Sequence, residues 1–79
     1  MEPVQDIAEL LDFSGLTCPL PLLKTKLALN KSPAGSRIQV QATDPGSVRD
    51  FQVFAEQSQY QLERWWQDGD SYFYLLLKP

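Results

Sequence analysis

Residues 15–24 read GLTCPLPLLK and hold the one cysteine of the chain, Cys18, directly ahead of Pro19 and Pro21. The thiolate form of cysteine is a nucleophile and a metal ligand, so this is the first place to look for chemistry. The chain has no histidine, which excludes Cys–His nucleophilic pairs and histidine metal centres. One cysteine and scattered carboxylates do not make a zinc set, so neither a metal nor a resident cofactor is expected. A Cys-x-x-Cys redox pair can resolve its own mixed disulfide. Here the fourth position is Pro21, so a sulfur adduct on Cys18 must wait for another protein. Two readings stay open: a reactive carrier thiol, or a small buried apolar residue that happens to precede a helix.

The local setting favours neither outright. With Cys18 as N-cap, Pro19 becomes the first helical residue and Leu20 and Pro21 follow. Prolines are tolerated there because first-turn N–H groups have no intrahelical acceptor. An N-cap side chain accepts from the second or third N–H. Pro21 has none, so Leu20 N–H is the expected donor to the sulfur. The positive end of the helix dipole should then lower the thiol pKa, raising the thiolate fraction at neutral pH from a few per cent to roughly a tenth.

The elements that must position this thiol follow from periodicity. IAELLDF (7–13) reads as a first strand and residues 19–31 as a helix, closed by Pro33 and Gly35. RIQVQAT alternates, with Ile38, Val40 and Ala42 on one face of a half-buried strand. DPGSVRDFQVFAEQ opens a second helix with Val48, Phe51, Phe54 and Ala55 as its apolar stripe. Two starts fit it: Asp44 as cap with Pro45 first, or Ser47 as cap with Asp50 as reciprocal partner. YQLERWW and SYFYLLLK form a hairpin, with Asp68-Gly69 as a type I′ turn. The expected fold is an α+β two-layer sandwich, β-α-β-α-β-β, with a mixed four-stranded sheet and both helices on one face. The open face should carry alternate aromatics from Trp65, Trp66, Tyr72 and Tyr74. In the first helix Leu22 and Leu29 should turn inward, leaving Leu20, Leu23 and Leu27 as an apolar patch beside Cys18.

At 79 residues the chain reads as one domain, residues 1–79, near the lower limit for a single hydrophobic core. Seven basic and ten acidic residues give a net charge of −3, without blocks of either sign. That balance offers no broad attraction for phosphate backbones or anionic membranes. No direct nucleic acid and no membrane partner are expected. MEPVQDIAELLDF lacks the positive start and continuous apolar run of a signal peptide, and no stretch reaches transmembrane length. A cytoplasmic location and a monomeric state are the expectation.

With these residues in place, LDFSGLTCPLPLLKTKLAL resembles the signature of the TusA/SirA-like sulfur-carrier family. ATDPGSVRDF is similar to that family's second motif, and YFYLLLK to its closing strand; together they span about residues 11 to 78. The resemblance implies the same β-α-β-α-β-β sandwich. It further implies a sulfurtransferase-type carrier, in which Cys18 receives sulfane sulfur as a persulfide and relays it. The donor would be a cysteine desulfurase or another persulfide carrier, and the acceptor a further protein. Pro19 and Pro21 carry over as the rigid cap, and Asp44, Pro45, Arg49 and Asp50 match the second motif. Arg49 is the residue expected to meet the sulfur anion or a partner; its plain alternative is a solvated helix arginine. Members resembling the tRNA-thiolation branch carry an acidic residue between the prolines, where this chain has Leu20. General sulfur trafficking, sulfur oxidation and selenium handling therefore stand beside tRNA thiolation. The alternative is a partner-binding regulatory module with a non-catalytic cysteine.

Overall fold

The computed structural model describes residues 7–79, with side chains from Glu9 onward. The reading of the first six residues falls outside the described part. The elements run β1 (Ile7–Asp12), α1 (Leu20–Lys31), β2 (Arg37–Ala42), α2 (Gly46–Gln57), β3 (Gln61–Asp68) and β4 (Ser71–Leu77). The expected order holds, and the four strands form one mixed sheet in the order β1-β2-β4-β3. β1 and β2 are parallel; a parallel pair needs a crossover, which α1 supplies. β4 lies antiparallel to both β2 and β3.

Alternation decides which face is covered. Ile38, Val40 and Ala42 are buried, while Arg37, Gln39 and Gln41 point the other way. Leu76 and Tyr74 sit opposite Ile38 and Val40 in the β2–β4 register, so they share that face. Leu29 from α1 and Phe51 from α2 complete a fully buried cluster with them. Both helices therefore cover one side of the sheet, as expected. The aromatics divide by the same rule. Tyr72 packs against the core, and Trp65 is paired with the buried Tyr74. Only Trp66 of the four expected residues lies on the open face, stacked on Phe73 with ring centroids 5.2 Å apart. Residues 65 and 66 could not share a face, because side chains alternate along a strand.

In α1, Pro21, Thr25 and Leu29 are buried at four-residue spacing, and Leu22 packs beside them. Thr25 is tolerated there because its hydroxyl donates to the Pro21 carbonyl at 2.7 Å. Leu20, Leu23 and Leu27 are left 42, 46 and 60% exposed. The far end of α1 is closed by Lys78, whose ammonium donates to the carbonyls of Leu29 at 2.8 Å and Ser32 at 2.7 Å. A cation there also suits the negative end of the helix. The hairpin turn differs from the expected type I′. Asp68 pairs with Ser71, so the two central residues are Gly69 and Asp70. Gly69 has φ +62°, and among the described residues only glycines have positive φ. Positive φ at the first central position only is the pattern of a type II′ turn.

Candidate functional site

Cys18 stands in the loop between β1 and α1, exposed and not in a disulfide. The reading of it as a buried apolar residue is thereby excluded. Its peptide bond to Pro19 is cis. α1 begins one residue later than expected, at Leu20, with Pro19 rather than Cys18 in the cap position. Leu20 N–H donates to the Thr17 carbonyl at 2.8 Å, so it is not the sulfur's donor. A carbonyl oxygen within the same turn is a far better acceptor than a thiol sulfur. Pro21 is buried on the inner face of α1, whereas Pro19 and Leu20 are exposed.

What holds the cysteine comes from the other helix. The Cys18 backbone N–H donates to Asp44 Oδ2. The second oxygen, Asp44 Oδ1, accepts Gly46 N–H at 3.1 Å. One carboxylate thus ties the approach to α1 to the start of α2. Of the two expected starts for α2, the Ser47–Asp50 pair does not form. Pro45 is in helical conformation and makes no side-chain cap bond itself, while the Asp44 carboxylate accepts Gly46 N–H as the Asp44-first reading expected. Ser47 is buried, and its hydroxyl pairs with Tyr74 Oη at 2.7 Å. Asp50 is turned outward, and its Oδ2 accepts the Cys18 thiol proton. A Cβ built on Gly46 would lie 3.5 Å from Cys18 Cβ and 3.7 Å from Sγ. The sulfur therefore rests over the first residue of α2, although it precedes α1 in the chain.

This reverses the expected electrostatics. The Asp50 carboxylate, accepting the thiol proton, pushes the Cys18 pKa from an ordinary 9.0 up to about 11. Desolvation adds to this, followed by the Asp50 and Asp44 negative charges. The expectation of a lowered pKa fails because a helix dipole amounts to half a charge spread over several amides. A full carboxylate charge in contact with the sulfur outweighs it. Sequence reading assigned Asp50 to capping; its match to the second motif was the available signal that it belonged to the site.

Arg49, the neighbour of Asp50, is exposed, and its side chain makes no hydrogen bond or ion pair among the described residues. With Leu22, Lys26, Asp50, Val53 and Phe54 it lines an open groove of about 530 Å³ between the helices. Lys26 lies over the Phe54 ring, 5.4 Å from its centroid. A second groove, about 610 Å³, runs on the other flank of α1 and includes Leu11, Phe13, Leu27 and Lys24 but not Cys18. No helix among the described residues is long and apolar enough to cross a membrane.

A family model described as Sulfurtransferase TusA matches residues 9–78, a span that contains the cysteine, both carboxylates and Arg49. The sulfur carrier protein TusA of Allochromatium vinosum is 44% identical over 73 residues, covering 92% of this chain and 96% of that protein. A putative sulfur carrier protein of Bacillus subtilis is 34% identical over 62 residues, covering 78% of this chain and 83% of its own. Among solved structures, a SirA-like protein from Desulfitobacterium hafniense superposes with a TM-score of 0.74 at 26% identity, over 86% of this chain and 93% of that one. The carboxylate-held Cys-Pro-x-Pro thiol thus lies inside a match that covers almost the whole chain, and the chain belongs to the Sulfurtransferase TusA family.

Proposed function

We propose that the chain is a sulfur carrier in which Cys18 alternates between thiol and persulfide. The single observation that carries this reading is the exposure of a lone thiol held by two carboxylates at the meeting point of both helices. A partner's persulfide can reach that sulfur without the fold opening. With no second cysteine in the chain, the added sulfur stays on Cys18 until an acceptor thiol takes it. Pro19 and Pro21 stiffen the turn that presents it, and Leu20 offers apolar surface beside it. The donor is a protein persulfide, on a cysteine desulfurase or another carrier, and the acceptor is a further protein thiol; the exchange takes place in the cytoplasm. Arg49, whose side chain is unpaired among the described residues and lines the helix groove with Asp50, would meet the anionic outer sulfur or an acidic partner group.

Incubation with a sulfane-sulfur donor followed by intact-mass spectrometry tests the reading. The wild-type chain should gain the mass of one sulfur, and Cys18→Ser should gain none. Equal gain by both, or none by either, would remove the carrier role. The exposed Leu20, Leu23 and Leu27 supply a second reading, a partner-binding module whose cysteine is incidental. Full rescue of a deletion strain by Cys18→Ser would favour that module over the carrier.

A further inference from the structure

We propose that Asp50 is the acid–base residue of sulfur transfer, taking the Cys18 thiol proton as Sγ attacks and delivering it to the sulfur that leaves. The inference rests on the carrier reading and deepens it. Its geometric basis is a division of labour between two carboxylates. Both oxygens of Asp44 are engaged by backbone N–H groups, those of Cys18 and Gly46. Asp44 therefore fixes the loop. The Asp50 side chain makes no hydrogen bond among the described residues other than the one from the thiol, so no second donor competes for its carboxylate. The chain contains no histidine that could take the proton instead. Leu20 N–H is committed to Thr17 and does not stabilise a thiolate.

Asp50 is also held still. It lies one turn beyond Ser47, which is bonded to Tyr74. It is next to Phe51, which stacks on the Tyr74 ring with centroids 4.2 Å apart. The charged groups that act on the thiol are Asp50 from α2 and Asp44 from the loop before it. Both are negative, so an unassisted thiolate would be scarce at neutral pH. Where the departing sulfur takes the proton on, a carboxylate in contact with it removes the need for a free thiolate, because the proton can be relayed as the new bond forms.

The step balances as donor–S–SH plus Cys18–SH giving donor–SH plus Cys18–S–SH. The bond from Cys18 Sγ to the sulfane sulfur forms and the donor S–S bond breaks. The thiol proton passes through Asp50 to the donor's departing sulfur. The transferred sulfur keeps its oxidation level, and no outside oxidant or reductant enters. Discharge runs the same way: the acceptor thiol's proton passes to Asp50 and then to Cys18 Sγ as it leaves.

The test compares two reactions of the full chain and its Asp50→Asn and Asp50→Glu variants, with circular dichroism to confirm folding. Alkylation by iodoacetamide expels iodide, which needs no proton. Sulfur uptake from glutathione persulfide expels a thiolate, which does. In Asp50→Asn, alkylation at neutral pH should rise about tenfold, since more thiolate outweighs its weaker nucleophilicity. Sulfur uptake by the same variant should fall by at least about tenfold, with Asp50→Glu recovering much of it. Wild-type uptake should also vary little between about pH 6.5 and 8.5, because the thiol, with its pKa pushed up to about 11, keeps its proton there and gives it up only in the transfer step itself. The proposal is overturned if Asp50→Asn takes up sulfur as fast as wild type. An Asn variant that does not fold leaves the wild-type profile to decide: uptake climbing tenfold per pH unit would mean a free thiolate and no role for Asp50. No uptake by wild type at all would instead remove the carrier reading itself.

Discussion

The protonation of one sulfur sets how fast this chain can react with an electrophile whose leaving group takes no proton. A thiol with its pKa pushed up to about 11 is protonated through the neutral range, and its nucleophilic form appears only as pH climbs through that value. At pH 7 about one molecule in 10⁴ carries a thiolate. Iodoacetamide alkylation of the wild type should therefore accelerate about tenfold per pH unit through the mildly alkaline range and level off only near 11. A plateau already reached near pH 9 would show that Asp50 does not hold the thiol proton in solution. Asp44 makes a separate prediction. Replacing it with Ala strips the acceptor from Cys18 N–H and Gly46 N–H together. By analogy with lost helix caps this should destabilise the fold by about 1–2 kcal/mol, or roughly 4–15 °C in Tm for a domain of this size. Thermal unfolding measures it, and an unchanged midpoint would mean that solvent replaces both bonds. Cys18 and Asp44 were legible because they fall in contiguous motifs. The thiol–Asp50 bond was not, because it joins residues 32 apart in the chain through the packing of one helix start on another. Helix-start rules treat each helix alone, and they assigned the sulfur to α1 and Asp50 to capping.

At the scale of elements, strands and their faces were legible wherever a period of two could be counted. β2 alternates cleanly and β4 inherits its covered face by pairing, so the mixed sheet followed. Boundaries and turns were less so. The hairpin turn lies one residue beyond the expected pair, because Asp68 still pairs in the ladder and Gly69 takes the positive φ. α1 was the hardest to orient, since leucines occur all round it; what settles its rotation is the buried column Pro21, Thr25 and Leu29. That rotation yields a paired prediction. Leu29→Ala should cost about 2–5 kcal/mol, because it leaves a cavity under a fully buried side chain. Leu23→Gln, on the exposed stripe, should change stability by less than about 0.5 kcal/mol. Chemical denaturation of the two variants side by side checks the assignment. Similar losses from both would mean that α1 is turned differently on the sheet.

For the molecule as a whole, the site is a junction of three chain segments that meet at the start of α2: the loop carrying Cys18, the helix carrying Asp50, and the core strand β4. The link from β4 is the bond between Tyr74 and Ser47, both buried, together with the Tyr74–Phe51 stack. Burial raises the pKa of the Tyr74 hydroxyl, partly offset by the bond to Ser47, so this link stays neutral over the working pH range. Whether it merely holds the helix down or also aims Asp50 can be separated by Tyr74→Phe. That change keeps the ring and the stack but leaves the Ser47 hydroxyl without its partner. An unsatisfied buried hydroxyl costs about 1–3 kcal/mol, so the melting temperature should fall. The native packing of Phe51 remains, so α2 should still present Asp50 to Cys18. The alkylation midpoint, read well below the new melting temperature, should therefore stay near the wild-type value of about 11. A midpoint that drifts towards 9.0 would show instead that a single hydroxyl pair in the core sets the reactivity of the exposed sulfur.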